Sequence, residues 1–326
     1  MKSSGIGGQA VLEGIMMRNG GKYAVAVRKP DKEIEIDIKE HRGLTEKHKF
    51  LNVPFIRGVF KFAESLSVGI KTLTYSASFI EDEEEPEKPV SKRTEDILMA
   101  LTVCFSVVFS IGLFIVLPFL VGEFFRKILE INSNTIIAIM EGLARILIFM
   151  LYLILISKMK DIQRTFMYHG AEHKCINCIE QGLELNVENV RKSSRLHKRC
   201  GTSFLLFVVV ISIISFILVS AIIPEASSGW LKLVVRLALI PIIAGISFEI
   251  LRLAGNSDGK IIGLISKPGI WLQRLTTREP EDDMIEVGIA SVEAIYDWKA
   301  YLKENFGKEF KEADSTIEVS GDSDDV

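Results

Sequence analysis

Apolar residues along this chain come in blocks. Four runs, at 97–122, 136–157, 203–223 and 231–254, each reach the roughly 20 residues an α-helix needs to cross about 30 Å of hydrocarbon. The third carries no charge, the second carries Glu141 and Arg145, and the fourth carries Lys232, Arg236, Glu249 and Arg252. Glu141 and Arg145 have helical i, i+4 spacing and are expected to pair on one face, as are Glu249 and Arg252 at i, i+3. Lys232, Arg236 and Arg252 lie near the ends of their run and are expected to snorkel outward. A sharper alternative turns these groups toward a cavity in the bundle, where they would serve function.

Outside the runs the period changes. Residues 23–28 and 33–38 alternate apolar and polar side chains across Lys29-Pro30-Asp31-Lys32, the pattern of a β-hairpin. Residues 55–79 have helical spacing and are expected to lie along the membrane or on the bundle. Residues 81–88 form an acidic, proline-bearing linker, 285–305 read as one amphipathic helix, and the last dozen residues read as an acidic disordered tail. Gly5-Ile6-Gly7-Gly8 lacks the lysine and hydroxyl of a phosphate loop and is expected to be a flexible turn. The fold class that follows is an α-helical membrane protein, with about four transmembrane helices and a small α+β cytoplasmic region. Its expected segments are 1–96, 97–254 with a loop at 158–202, 255–311, and a tail at 312–326. The sequence contains no internal repeat.

Composition sharpens this picture. Hydrophobic residues make up 48% of the 326, with a mean hydropathy of +0.28, high for a soluble protein and consistent with the bilayer as a partner. The net charge of −3 implies no general attraction to nucleic acid. Residues 1–20 lack the apolar core of a secretory signal. The loop between the second and third runs holds Lys158, Lys160, Arg164, Lys174, Arg191, Lys192, Arg195, Lys198 and Arg199, whereas the opposite loops hold only Arg126 and Lys127 before Lys232. The positive-inside rule then puts the basic loop, and with it both termini, in the cytoplasm. The chain's four cysteines are too few for a disulfide framework, and those in a cytoplasmic loop would stay reduced.

That loop concentrates the candidate chemistry. Three of five histidines and three of four cysteines fall between His169 and Cys200. His169-Gly170-Ala171-Glu172-His173 fits His-x-x-Glu-His, in which two helical imidazoles share a zinc ion and the glutamate is general base. His197 and Cys200 could complete an open, catalytic site. A competing arrangement is a closed structural site of Cys175, Cys178, His197 and Cys200. A third reading has no metal, only hydrogen-bonded histidines and buried cysteines.

Longer strings carry a family resemblance. Gly7-Gly8-Gln9-Ala10-Val11-Leu12-Glu13-Gly14-Ile15-Met16-Met17-Arg18, Tyr168-His169-Gly170-Ala171-Glu172-His173-Lys174, and His197-Lys198-Arg199-Cys200-Gly201-Thr202-Ser203-Phe204 resemble the bacterial YqhQ-type family. So do Thr277-Arg278-Glu279-Pro280 and Met284-Ile285-Glu286-Val287. The resemblance implies a multi-pass protein of the bacterial cell membrane, described as a metal-dependent enzyme of unknown function. It implies that the histidines, Glu172, Cys200 and also Glu180 belong to the motifs, and that Cys175 and Cys178 do not. It draws attention to Glu13 and Arg18, whose simpler reading is a structural salt bridge at the membrane surface. The expectation is a divalent ion, zinc first, on His169, His173 and His197 with Cys200 or Glu180 fourth, and Glu172 as the base of a hydrolase. The rivals are a non-catalytic scaffold and a small-solute transporter or channel.

Overall fold

The computed structural model describes residues 3–41, 43–81, 92–222, 229–256 and 259–310. Most of the acidic linker and the acidic tail lie outside the described residues.

Four strands, β1 (Gly7–Val11), β2 (Gly14–Asn19), β3 (Lys22–Arg28) and β4 (Ile34–Glu40), form an antiparallel meander in the order β1-β2-β3-β4. The β3–β4 hairpin matches the alternation read from the sequence, with Arg28 opposite Ile34. Of the glycine-rich start, Gly5 and Ile6 lie outside regular structure, Gly5 at φ 76°, whereas Gly7 and Gly8 belong to β1 and pair with Arg18 and Met17, which corrects their reading as part of a flexible turn. Alternate β2 and β3 residues face opposite layers. Ile15, Met17 and Ala26 join a core with Tyr168, Ile176, Met284 and Ile285. Met16, Tyr23 and Val25 pack instead with Val68, Tyr75 and Phe79.

A short helix α1 (Leu44–Lys47) leads to α2 (Ile56–Glu81). The first turn of α2 lies against a later helix, α9 (Gly229–Asn256): a Cβ on Gly58 would meet Phe248 Cβ at 2.9 Å and Gly245 Cα at 3.0 Å. Arg57 donates twice to Glu249 at 2.6 Å.

Helices α3 (Lys92–Ile111) and α4 (Leu117–Ile128) run together through a π-helical stretch, Gly112–Val116. Then follow α5 (Asn134–Ile156), α6 (Lys160–Glu180), α7 (Val187–Lys192), α8 (Gly201–Ile222) and α9 (Gly229–Asn256). Among the described residues, four helical stretches are long and apolar enough to cross a membrane: Ile97–Ile128, Asn134–Ile156, Gly201–Ile222 and Trp230–Gly255. They coincide with the four apolar runs.

The charged groups inside these spans pair only in part as their spacing predicts. Glu141 pairs with Arg236 of α9 at 2.7 Å instead of Arg145. Arg236 is therefore buried and does not snorkel. Arg145 donates to the Phe114 carbonyl at 2.8 Å. That carbonyl stands four residues before Pro118, which has no N–H to return to it, and a buried carbonyl needs a partner. Lys232 reaches Asn134 at 3.0 Å. Glu249 pairs with Arg57 at 2.6 Å and also, as its i, i+3 spacing predicts, with the half-exposed Arg252 at 3.7 Å.

The second span does not run on through Tyr168. Helix α5 ends at Ile156, and its last carbonyls turn to side chains: Gln163 Nε2 donates to Ser157 and Lys158 at 3.2 Å, and Arg278 to Ser157 at 3.2 Å. Helix α6 starts afresh at Lys160. The chain closes with α10 (Lys260–Thr276), α11 (Asp282–Glu293) and α12 (Trp298–Phe306). The single helix expected over 285–305 is thus two. Asp297 interrupts it by capping α12, accepting from Ala300 N at 2.9 Å. The sheet, α6, α7, α11 and α12 share one core at the end of the bundle where α5 gives way to α6.

Candidate metal centre

Helix α6 carries the centre because its 3.6-residue period places His169 and His173 on one face. Their rings lie 4.4 Å apart. Each is oriented by a backbone carbonyl at Nδ1: Thr276 O for His169 at 2.8 Å and Arg195 O for His173 at 2.6 Å. A carbonyl only accepts, so Nδ1 carries a proton in both, and Nε2 is the ring nitrogen left to face a ligand. Metal-binding histidines are commonly held in this way by a second shell.

Cys200, one residue before α8, completes the group. Its Sγ is 3.2 Å from His169 Nε2, and Thr202 reaches the sulfur through N at 3.4 Å and Oγ1 at 3.1 Å. Ligand atoms of His169, His173 and Cys200 all lie within 4.8 Å of one another, and the three can hold a metal ion. The donor set, two imidazoles and a thiol, suits zinc-like ions.

Glu172 flanks this group. Its Oε2 is 3.8 Å from His169 Nε2, and its side chain is buried. Burial pushes its carboxyl above the usual carboxylate range, against the opposing pull of His169 and the Gly8 N–H. Gly8 has to be glycine here, since a Cβ would meet Glu172 Cγ and the Met16 carbonyl oxygen at 2.8 Å.

His197 and Glu180 stand beside the group, paired with each other. The His197 ring is 5.8 Å from that of His173, but its Nε2 turns to Glu180 Oε2 at 3.3 Å, and its Nδ1 accepts from Arg199 N at 3.4 Å. Burial lowers the His197 pKa, with the Glu180 hydrogen bond opposing. Burial also works to raise Glu180, but bonds from His197, Arg199 and Ser4 outweigh it and hold its carboxyl at about 2.

Cys175 and Cys178 are not brought to this group. They project from α6 into the apolar core, where burial drives the Cys175 thiol upward and Cys178 Sγ donates to the Glu184 carbonyl at 3.3 Å. The closed arrangement of Cys175, Cys178, His197 and Cys200 is therefore not formed. Glu13 bonds Arg164 at 2.6 Å and Tyr168 at 3.2 Å, and Arg18 pairs with Glu64 at 2.6 Å. Both are salt bridges that tie the sheet to helices, the simpler of the readings given to them.

A family model described as "Protein of unknown function (DUF1385)" matches residues 53–298. The chain belongs to the DUF1385 family. It is also 36% identical over 307 residues to "Uncharacterized protein YqhQ" of Bacillus subtilis (strain 168), covering 92% of this chain and 94% of that protein. No solved structure matches the chain.

In this DUF1385 protein, several residues that hold the centre were not singled out for that role by the sequence. Gln273 of α10 clamps the turn before Cys200, accepting from His197 N at 2.8 Å and donating to its carbonyl at 2.7 Å. Lys174 is buried and donates to the carbonyls of Arg191 and Ser193 at 2.8 and 2.9 Å. Asn177 does the same for Ser194 and Leu196, at 2.6 and 3.0 Å. The available hint was position: Lys174 and Asn177 lie within one helical turn of the His-x-x-Glu-His string.

Proposed function

We propose that this protein is a membrane-embedded, metal-dependent hydrolase whose centre faces the cytoplasm, with His169, His173 and Cys200 as ligands of a zinc-like divalent ion. The observation that carries this reading is the pair of carbonyl-tethered imidazoles meeting the thiol that immediately precedes α8. A divalent ion held there supplies Lewis acidity and an acidified water. Glu172 is placed to take up a proton beside it. Glu180, His197 and Arg199 stiffen the second layer and keep His173 and Cys200 in register. The excess of lysine and arginine between 158 and 199 supports the cytoplasmic orientation.

A scaffold is the second reading. It draws support from the direct approach of His169 Nε2 to Cys200 Sγ, which can clasp the loop without an ion. A transporter has weaker support: the cavity beside Arg236 and Lys232 measures about 10 Å³, room for about one water.

Elemental analysis of protein purified without chelators tests the reading. About one equivalent of ion is expected in the wild-type protein and none in His173→Ala. Glu172→Gln is expected to keep the ion and lose hydrolysis. An ion-free wild-type protein overturns the proposal in favour of the scaffold.

A further inference from the structure

Two clefts flank helix α2 where it meets the spans, and both touch the metal centre's surroundings. The polar one, about 430 Å³, is bordered by Gly8, Arg18, Glu46, Lys61 and Glu64. The apolar one, about 510 Å³, is walled by Phe62 and Leu66 of α2, Phe204 and Leu205 of α8, and Phe248 and Leu251 of α9. Lys61, Ser65 and Phe248 line both, so the two are continuous. The polar cleft reaches the centre through Gly8, whose backbone faces Glu172. The apolar one reaches it through Gly201, the residue after Cys200.

The level of these clefts follows from α9. Gly58 and Arg57 lie against Gly245 and Glu249, inside the stretch Trp230–Gly255. A bilayer that covers α9 there also covers the start of α2 and the residues before it, where Phe50, Val53, Phe55 and Ile56 are exposed. Lys61 is one helical turn above Gly58, near the depth at which charged side chains meet headgroups. The apolar cleft therefore opens sideways to acyl chains and the polar cleft to headgroups.

The charges in the polar cleft select the headgroup. Arg18 and Glu64 neutralise each other. Lys61 and Glu46 have no ionic partner among the described residues. They leave one cationic and one anionic position at the mouth of an apolar groove. We propose that this two-part cleft binds an aminophospholipid of the surrounding bilayer, its phosphate at Lys61, its ammonium at Glu46 and an acyl chain along the apolar wall that the paired rings of Phe62 and Phe204 form with Leu66 and Leu205. Resting on the hydrolase reading above, such a lipid is the substrate class of the centre.

The test uses the full chain in nanodiscs of phosphatidylcholine doped with either phosphatidylethanolamine or phosphatidylglycerol, and reads the lipid retained after detergent extraction. The wild-type protein is expected to retain phosphatidylethanolamine preferentially. Lys61→Glu should lower its retention about fivefold or more, the effect of one cationic side chain at an anionic lipid group. Ser65→Trp, at an exposed helix position, should block the cleft to a similar extent. Glu46→Gln should erase the preference over phosphatidylglycerol. Lys71→Glu, on the same helix outside both clefts, should change nothing. Soluble phosphoethanolamine should compete poorly, since it lacks the chain that fills the groove. Equal retention in the wild-type, Lys61→Glu and Ser65→Trp proteins overturns the proposal. So does preferential retention of phosphatidylglycerol, or full displacement by phosphoethanolamine. His173→Ala removes the ligand set and leaves the cleft intact, so it should bind lipid as the wild-type protein does. Loss of lipid in that variant alone would place the lipid on the centre itself and overturn the cleft. Ion content of the same samples separates the two ideas: a wild-type protein with lipid and no ion defeats the hydrolase reading and leaves the lipid site standing.

Discussion

Gly170 shows how narrowly the centre is built. A Cβ there would overlap the backbone carbonyl oxygen of Arg278, which passes across α6 one residue from His169. Gly170→Ala is expected to cost about 1–3 kcal/mol and to displace His169, visible as a lower Tm together with reduced ion content. The cysteines should divide cleanly. Cys200→Ser should abolish ion binding, whereas Cys175→Ala should retain it and lose only packing. Glu180 gives a pH signature. Its carboxyl is held at about 2, against an ordinary 4.5, so its stabilisation is complete above pH 4.5 and disappears as the pH falls toward 2. Melting curves should show that decline in the wild-type protein and a flatter one in Glu180→Gln. At this scale the sequence was half legible. Histidines and cysteines at helical spacing announced a site, because ligand chemistry is confined to few residue types. Gln273 and the Thr276 carbonyl carried no such mark, since amides and backbone groups serve every purpose in a fold.

The same division runs through the elements. The spans were legible because length and apolarity suffice to define them. The β3–β4 hairpin was legible because Lys29-Pro30-Asp31-Lys32 separates two alternating strands. The β1–β2 hairpin was not. Its turn is Leu12-Glu13, without the glycine or asparagine that marks tight turns, and Glu13 adopts φ 47°. Bonds from Glu13 to Arg164 and Tyr168 offset that strain, so the turn is fixed by a helix more than 150 residues away. The spacing of Glu141 and Arg145 misled for a similar reason: a partner on another helix outcompeted the local one. Arg236→Ala leaves Glu141 buried and unpaired and is expected to cost about 3–5 kcal/mol. Adding Glu141→Gln should recover much of that loss, which a double-mutant cycle of chemical denaturation would measure.

For the whole molecule, the four spans bring the sheet, α6 and the final helices to one end of the bundle, so a single orientation decides where the centre works. Membrane-impermeant thiol labelling in a cysteine-free background checks it. A cysteine at Glu130, between α4 and α5, should react in intact cells, and one at Glu184, between α6 and α7, only after permeabilisation. The reverse pattern would put the centre outside. What no local pattern could reveal is how the ends of the chain meet: Ser291 of α11 donates to the Ile15 carbonyl, 276 residues away. On the ribosome, β2 emerges well before α11, and the four apolar segments lie between them in the sequence. The nascent sheet keeps one apolar side bare through that interval, so the core that supports α6 can close only once α11 has been made.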